Sequence, residues 1–279
     1  MSEDSRAVCP LCPRHCALRE GESGACAARE NRAGQVVCAN YGQITSLALD
    51  PIEKKPLYHF HSGSQILSVG GYGCNLFCPF CQNYAISRAR AGELPTKYLS
   101  PEALTTLAQR ANRDYGSIGV AFTYNEPLVS YEYVRDAARL LKEAGLLVVL
   151  VTNGQICADQ LGALLPYVDA LNIDLKGFSQ KFYDWLGGDF STTKAAIERA
   201  AHTTHVEVTT LVIPGKNDSE ADMEAEADFL AAISPDLPLH LSRYFPRYRC
   251  AIPVTPRATL ERLAHIARAK LCHVHLGNL

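Results

Sequence analysis

The sequence predicts an α/β fold, a partial (β/α)6-type TIM barrel preceded by a small Cys-rich N-terminal segment. Three observations carry this. From about residue 66, strand-like and helix-like stretches alternate six or seven times over roughly 210 residues. The unusual polar motifs fall where predicted strands end. Residues 1–40 hold five of the 11 Cys and show no helical or strand period. The predicted division is therefore a metal-binding segment over 1–45 and a core domain over 46–279. A doubly wound open sheet fits the same alternation.

The elements follow in order. Residues 66–71 read as a strand, and 101–115 as a helix capped by Ser100 with Pro101 in its first turn. A strand is expected over 118–123, and a helix over 128–144 closed by Gly145. The aliphatic run 146–152 is the next strand and 158–167 the next helix. Residues 169–175 are a strand, followed by short helices over 179–186 and 191–201. Then come a strand over 206–213, a helix over 219–233 and a strand over 239–243. A helix over 255–270, with Thr255 as N-cap and Pro256 at N1, leads to a last strand over 273–276.

Composition narrows the function. The 279 residues are 47% hydrophobic and 20% charged, enough apolar material for one large core. A formal net charge of −2 exerts no general pull on nucleic acid or anionic membrane. The longest aliphatic run, 146–151, is far too short to span a bilayer. The start, Met-Ser-Glu-Asp-Ser-Arg-Ala, lacks the basic and apolar regions of a signal peptide. Many thiols without secretion point to metal binding in a reducing compartment, so cytoplasm is expected.

The most informative stretch is Gly73-Cys-Asn-Leu-Phe-Cys-Pro-Phe-Cys-Gln82. Cys74, Cys78 and Cys81 offer three thiolates to one centre and supply no fourth. A structural zinc site is closed by four ligands, whereas an open position marks a catalytic one. Iron–sulfur clusters normally take four Cys, so three leave one iron for an outside ligand. Further strand-end motifs are Thr-Tyr-Asn-Glu-Pro at 123–127, Thr-Asn-Gly at 152–154 and Asp-Leu-Lys at 174–176. Ile-Pro-Gly-Lys-Asn-Asp at 213–218 and Ser-Arg-Tyr at 242–244 complete the rim. Taken singly, Glu126 suits a turn and Asn153 an ordinary Asn-Gly turn. Asp174 in an apolar strand must be paired or hold a cation. Together they describe a site.

These residues resemble the radical S-adenosylmethionine (SAM) superfamily, whose signature is this loop with an aromatic residue, here Phe80, before the last Cys. Within it the chain is similar to pyruvate formate-lyase activating enzymes, and more closely to the AmmeMemoRadiSam system radical SAM enzyme branch. The resembling stretches include Cys-Pro-Arg-His-Cys at 12–16, Asp-Pro-Ile-Glu-Lys-Lys-Pro-Leu at 50–57 and Asn-Ile-Asp-Leu-Lys at 172–176. The resemblance implies a [4Fe-4S] cluster on Cys74, Cys78 and Cys81. The fourth iron would be chelated by the amino and carboxylate groups of SAM. Reductive cleavage would then give a 5′-deoxyadenosyl radical that takes hydrogen from a substrate. It also implies an external flavodoxin- or ferredoxin-like electron donor, and a substrate that is a protein or a partner-delivered small molecule. Carried over by position, Glu126 and Asn153 meet the methionyl or ribose end of the cofactor. Lys176 neutralises its carboxylate, and Asp174 binds a monovalent cation. Phe245 stands where a histidine near the adenosyl group is expected, with His240 and Arg243 close by in sequence.

Cys9, Cys12, Cys16 and Cys26 form a second thiol set, spaced for structural zinc or a closed second iron–sulfur cluster, with zinc preferred. Cys38, Cys157, Cys250 and Cys272 read as small buried hydrophobes. The 54–61 stretch, with Lys54, Lys55, His59 and His61, is equally a substrate mouth or a solvated loop. The rival activities are a glycyl-radical enzyme activase and, from another class, a zinc or thiol redox or scaffold protein.

Overall fold

The structure is a computed structural model that describes residues 6–279; Met1 to Ser5, on which part of the N-terminal expectation rests, lie outside the described residues. The N-terminal segment is more ordered than its sequence suggests. Strand β1 (Ala7–Val8) pairs with β2 (Ala17–Leu18), and β3 (Arg29–Arg32) with β4 (Gln35–Cys38), followed by the short β5 (Gln43–Ile44). Two- to four-residue strands are too short to show a period, which is why residues 1–40 looked featureless.

The main sheet begins with β6 (Ser46–Pro51), which runs antiparallel to β7 (Gln65–Gly70). Sequence periodicity passed over β6 because Leu47 and Leu49 point outward on an edge strand, leaving no inward apolar face to detect. After the Cys loop come α1 (Tyr84–Ser87), β8 (Lys97–Tyr98, paired with β5) and α2 (Pro101–Tyr115). Helix α2 starts and stops as its sequence dictates. Ser100 accepts a bond from the Ala103 N–H, and Gly116 closes it at φ 67°.

The alternation continues through β9 (Gly119–Phe122), α3 (Tyr131–Glu143), β10 (Leu147–Thr152), α4 (Ala158–Leu164) and β11 (Ala170–Asp174). The expected helix over 128–144 opens instead as a 3-10 turn, Pro127–Ser130, capped by the Glu126 side chain. Helices α5 (Gln180–Leu186) and α6 (Phe190–Ala201) precede β12 (His205–Val212), α7 (Glu220–Ile233) and β13 (Leu239–Arg243). Helix α8 (Arg257–Arg268) and β14 (Val274–Gly277) finish the fold. Thr255 does not cap α8. Its hydroxyl donates to Val212 O (2.6 Å), and Pro256 stands at the cap.

The eight strands run in the order β14-β13-β12-β11-β10-β9-β7-β6, all parallel except β6. Helical crossovers cover the sheet's outer face, and β6 and β14 remain unpaired with each other, so this is a partial barrel. Residues 52–61 form a strap that plugs its interior. Ile52 and Leu57 pack with Ile66, Ala121, Val149 and Ala170. Asn172 Nδ2 donates to Pro56 O (2.8 Å), and fully buried Glu207 receives the N–H groups of Tyr58 (3.0 Å) and His59 (2.8 Å). The strap then reaches β14, where His59 Nε2 lies 2.8 Å from His275 Nε2.

Candidate metal and cofactor cavity

Strand ends decide what the barrel mouth contains. The β7–α1 connection carries the Cys loop, and its shape depends on Gly73. That residue sits at φ 93°, and an added Cβ would lie 2.5 Å from Cys26 O. Backbone bonds pin the loop on both sides: Cys74 N–H to Cys26 O (3.2 Å) and Phe77 N–H to Leu186 O (2.8 Å). Asn75 Nδ2 donates to Gln155 O (2.7 Å), and Asn153 Nδ2 donates to Asn75 Oδ1 (3.0 Å) and approaches Cys74 Sγ (3.7 Å).

Cys74, Cys78 and Cys81 border one cavity of about 350 Å³. Glu126, Asn153, Asp174 and Lys176 line the same cavity, so the structure brings all seven sequence-predicted groups together. Among the described residues no three His, Cys, Asp or Glu side chains already close on a single ion. Three cysteines with no fourth among this cavity's lining residues would leave a bound metal group one open position. Burial pushes Cys74 far above the ordinary thiol range and Cys78 up to about 11, with Lys176 opposing the rise at Cys78. Binding must therefore drive off protons and favour higher pH.

Glu126 is 3% exposed. Its carboxylate accepts from Thr152 Oγ1 (2.7 Å), Asn153 N–H (2.8 Å) and Leu128 N–H (3.0 Å). Burial raises it to about 7 even against those donors. It thus ties two strand ends together, and two carboxylate oxygens with three donors keep acceptor capacity for a ligand. Asp174 Oδ2 and Lys176 Nζ are 2.7 Å apart. Burial alone would lower Lys176, but Asp174 and Cys78 outweigh it and keep the amine protonated. A cation at Asp174 would have to compete with this lysine.

Two expectations need correction. The 213–218 turn does not line the cavity. Asn217 instead supports it from behind, donating to Lys176 O (2.8 Å) and Leu211 O (2.9 Å). His240, near Phe245 in sequence, lies at the other end of the barrel, where its Nε2 bonds buried Glu207 (2.6 Å) near the strands' N-terminal ends. Of the four isolated thiols, Cys250 is buried, Cys38 and Cys157 are half-buried, and Cys272 is exposed.

Sequence reasoning missed the tyrosine that matters. Tyr124 lines the cavity at φ 73°, a left-handed conformation uncommon for a non-glycine. Its hydroxyl donates to Asp50 Oδ2 (2.8 Å), and its carbonyl accepts from Asn83 Nδ2 (2.7 Å). Lys54 and Lys55 also line the cavity, bonding Asp50 at 3.1 and 2.9 Å. Burial would raise Asp50, but Lys55, Tyr124 and Lys54 hold its carboxyl well below the usual range. The strap therefore delivers two lysines to the mouth and its histidines to the opposite end. The signal was the 50–57 motif, whose Asp50, Lys54 and Lys55 act together beside this cavity.

The second thiol set lies beside the first. Cys9, Cys12, Cys16 and Cys26 line a small pocket, with Cys9 N–H bonded to Cys16 O (2.9 Å). Burial raises Cys12 to about 11 and also raises Cys26, and each feels neighbouring thiols of the set.

The profile of the Radical SAM superfamily matches residues 68–229. An uncharacterized protein of Methanocaldococcus jannaschii is 38% identical over 99% of this chain and 83% of its own length. Two solved structures share the fold. A radical SAM methyltransferase from Sphaerobacter thermophilus has TM-score 0.60 at 20% identity, covering 78% of this chain and 67% of that one. A domain of pyruvate-formate lyase-activating enzyme from Bacteroides vulgatus has TM-score 0.51 at 20% identity, covering 57% and 99%.

Proposed function

Because the chain belongs to the radical SAM superfamily, we propose that it reductively cleaves SAM and uses the product to abstract hydrogen from a substrate still to be identified. The observation that carries this reading is the donor set: three thiols at one wall of a cavity whose other walls are polar strand ends. When bound, a [4Fe-4S] cluster with SAM supplies the electron transfer and C–S cleavage that no side chain can perform. In this reading Cys74, Cys78 and Cys81 bind the cluster and leave one iron open. Glu126 accepts from the cofactor's ammonium or ribose, and Asn153 fixes the loop beside Cys74. Lys176 faces the cofactor carboxylate, with Asp174 holding the lysine in place or binding a cation in exchange. Gly73 and Arg88 hold the loop's backbone, and the apolar groups Leu76 and Phe80 limit water at the thiols.

Glycyl-radical activation is the weaker variant. The 123–127 stretch has no glycine and holds its left-handed turn with Tyr124, which supports a substrate of another class. The Cys9, Cys12, Cys16 and Cys26 set, within a segment spanning 1–45, is proposed as structural, binding zinc or a closed cluster. Metal analysis of purified protein decides between them. Among the described residues no helix is long and apolar enough to cross a membrane; a cytoplasmic location is part of the proposal.

Anaerobic reconstitution tests the central claim. Reduction in the presence of SAM should yield 5′-deoxyadenosine, and Cys78→Ala should reduce the yield to background. Undiminished cleavage by Cys78→Ala would refute the cluster assignment, and no cleavage by the unsubstituted protein would favour a zinc or thiol scaffold.

A further inference from the structure

The net charge of −2 hides a lopsided distribution. Between Glu53 and Glu93, and again between Asp236 and Glu261, the chain has four basic residues and no acidic one. Both runs supply residues to the lining of the Cys-loop cavity. In the second run the basic residues interleave with rings, as Arg-Tyr-Phe-Pro-Arg-Tyr-Arg at 243–249. This stretch leaves the cavity wall after Ser242 and returns to the Cys loop, where the Arg249 N–H donates to Pro79 O (2.9 Å). Residues 245–249 are all exposed. Tyr248 takes a left-handed φ of 53° and lays its ring against that of exposed Tyr84, with 4.5 Å between centroids and 9° between planes. Among the described residues no other pair of Phe, Tyr or Trp rings stacks face to face. Tyr84 directly follows Asn83, which lines the cavity. The Arg249 guanidinium lies 5.0 Å from the Tyr248 centroid, and that of Arg243 5.3 Å from the centroid of exposed Phe245. Arg257 of the same run pairs with Glu261, whereas among the described residues Arg243, Arg247 and Arg249 meet no carboxylate. A guanidinium laid on a ring keeps N–H edges for a phosphate.

We propose that this rim, built by Tyr84, Phe245, Tyr248, Arg243, Arg247 and Arg249, binds a single-stranded nucleic acid beside the cavity mouth. Single strands are held by cations that meet phosphates and by rings on which unstacked bases lie, and both are present here in alternation. An acidic peptide would engage the arginines but would leave the flat Tyr84–Tyr248 face without a planar partner. A duplex keeps its base faces stacked on each other and away from the rings. The use of the surface rests on the radical SAM reading, because a strand held here stands next to the cavity in which that chemistry would run. The binding itself does not depend on that reading.

The probe is a fluorescein-labelled oligouridylate of about 12 nucleotides, within the usual span of a single-strand site. Its binding to the purified full chain is read by fluorescence anisotropy and should weaken as salt rises, with a log–log slope of about 0.7 per phosphate contacted. Arg247→Gln combined with Arg249→Gln should make that slope shallower by about 1 to 1.5. Tyr84→Ala and Tyr248→Ala should each weaken binding about fivefold or more at fixed salt. Tyr84→Phe keeps the stacking face and should bind as the unsubstituted chain does. The proposal is overturned if the unsubstituted chain does not bind, or if the arginine or the alanine variants bind as it does. It is equally overturned if polyglutamate or duplex RNA displaces the probe as well as unlabelled oligouridylate. The measurement needs neither cluster nor SAM, so it can fail while reductive SAM cleavage stands, and the reverse.

Discussion

Asp50 shows how much can depend on one carboxylate. It neutralises Lys55, which is 2% exposed, and fixes the Tyr124 hydroxyl at the cavity wall. Asp50→Asn would strand a buried ammonium, an effect of about 3–5 kcal/mol when one partner of a buried pair is removed. Lys55→Met should cost clearly less, because Asp50 keeps Lys54 and Tyr124. Urea unfolding of the two variants checks the asymmetry; equal losses would mean that Lys55 is not the group at risk. Asp50, Lys54 and Lys55 were visible in the sequence as a motif, but their meaning was not. A carboxylate on an edge strand gives no sign that a tyrosine 74 positions away will reach it.

Among the elements, those with strong local grammar were legible. Helix α2 has its Ser cap, its Pro in the first turn and its Gly stop, and the structure follows all three. Strands β7, β9 and β10 were legible from apolar runs buried on both faces. Thr255 was misread because a Thr before Pro looks like a cap, whereas tertiary contacts decide where its hydroxyl goes. That hydroxyl donates to Val212 O and receives the Tyr244 N–H (3.3 Å), joining the ends of β12 and β13. Thr255→Val should therefore destabilise by about 1–3 kcal/mol, the cost of leaving buried backbone groups unpaired. Thr255→Ser should retain most of the stability in thermal unfolding, and a Val variant as stable as the parent would restore the helix-cap view. The three-thiol loop and its four polar companions were legible because each chemistry-bearing residue type stood at a strand end. The arrangement of the strap was not, since it depends on pairings more than a hundred residues apart.

At the scale of the whole molecule, the strap closes the gap between the sheet's two edges. Its end is fastened by Glu207, His59, His205, His240, His273 and His275, with Tyr58 edge-on to His240 and His275. Burial, reinforced by neighbouring imidazoles and opposed by Glu207, lowers His59 and His275 below about 6.5. Between the folded and unfolded values the unfolded chain binds more protons, so stability rises with pH there and falls as pH drops below about 6.5. Glu207 is held well below the carboxylate range, where burial is outweighed by His205, His240 and two backbone N–H groups. Its contribution is present above about 4.3 and fades at more acid pH. The melting temperature should thus decline from pH 7 to pH 5, and His275→Gln should flatten that decline. An equally steep profile in the variant would place the sensitivity elsewhere.

The same fastening dictates an order of assembly. His59 and His275 are separated by 216 positions, so this last contact of the strap forms only when the final strand is in hand. Loop closure over that distance is slow compared with local helix formation. On a ribosome, the histidine end of the strap would stay loose until synthesis is nearly finished.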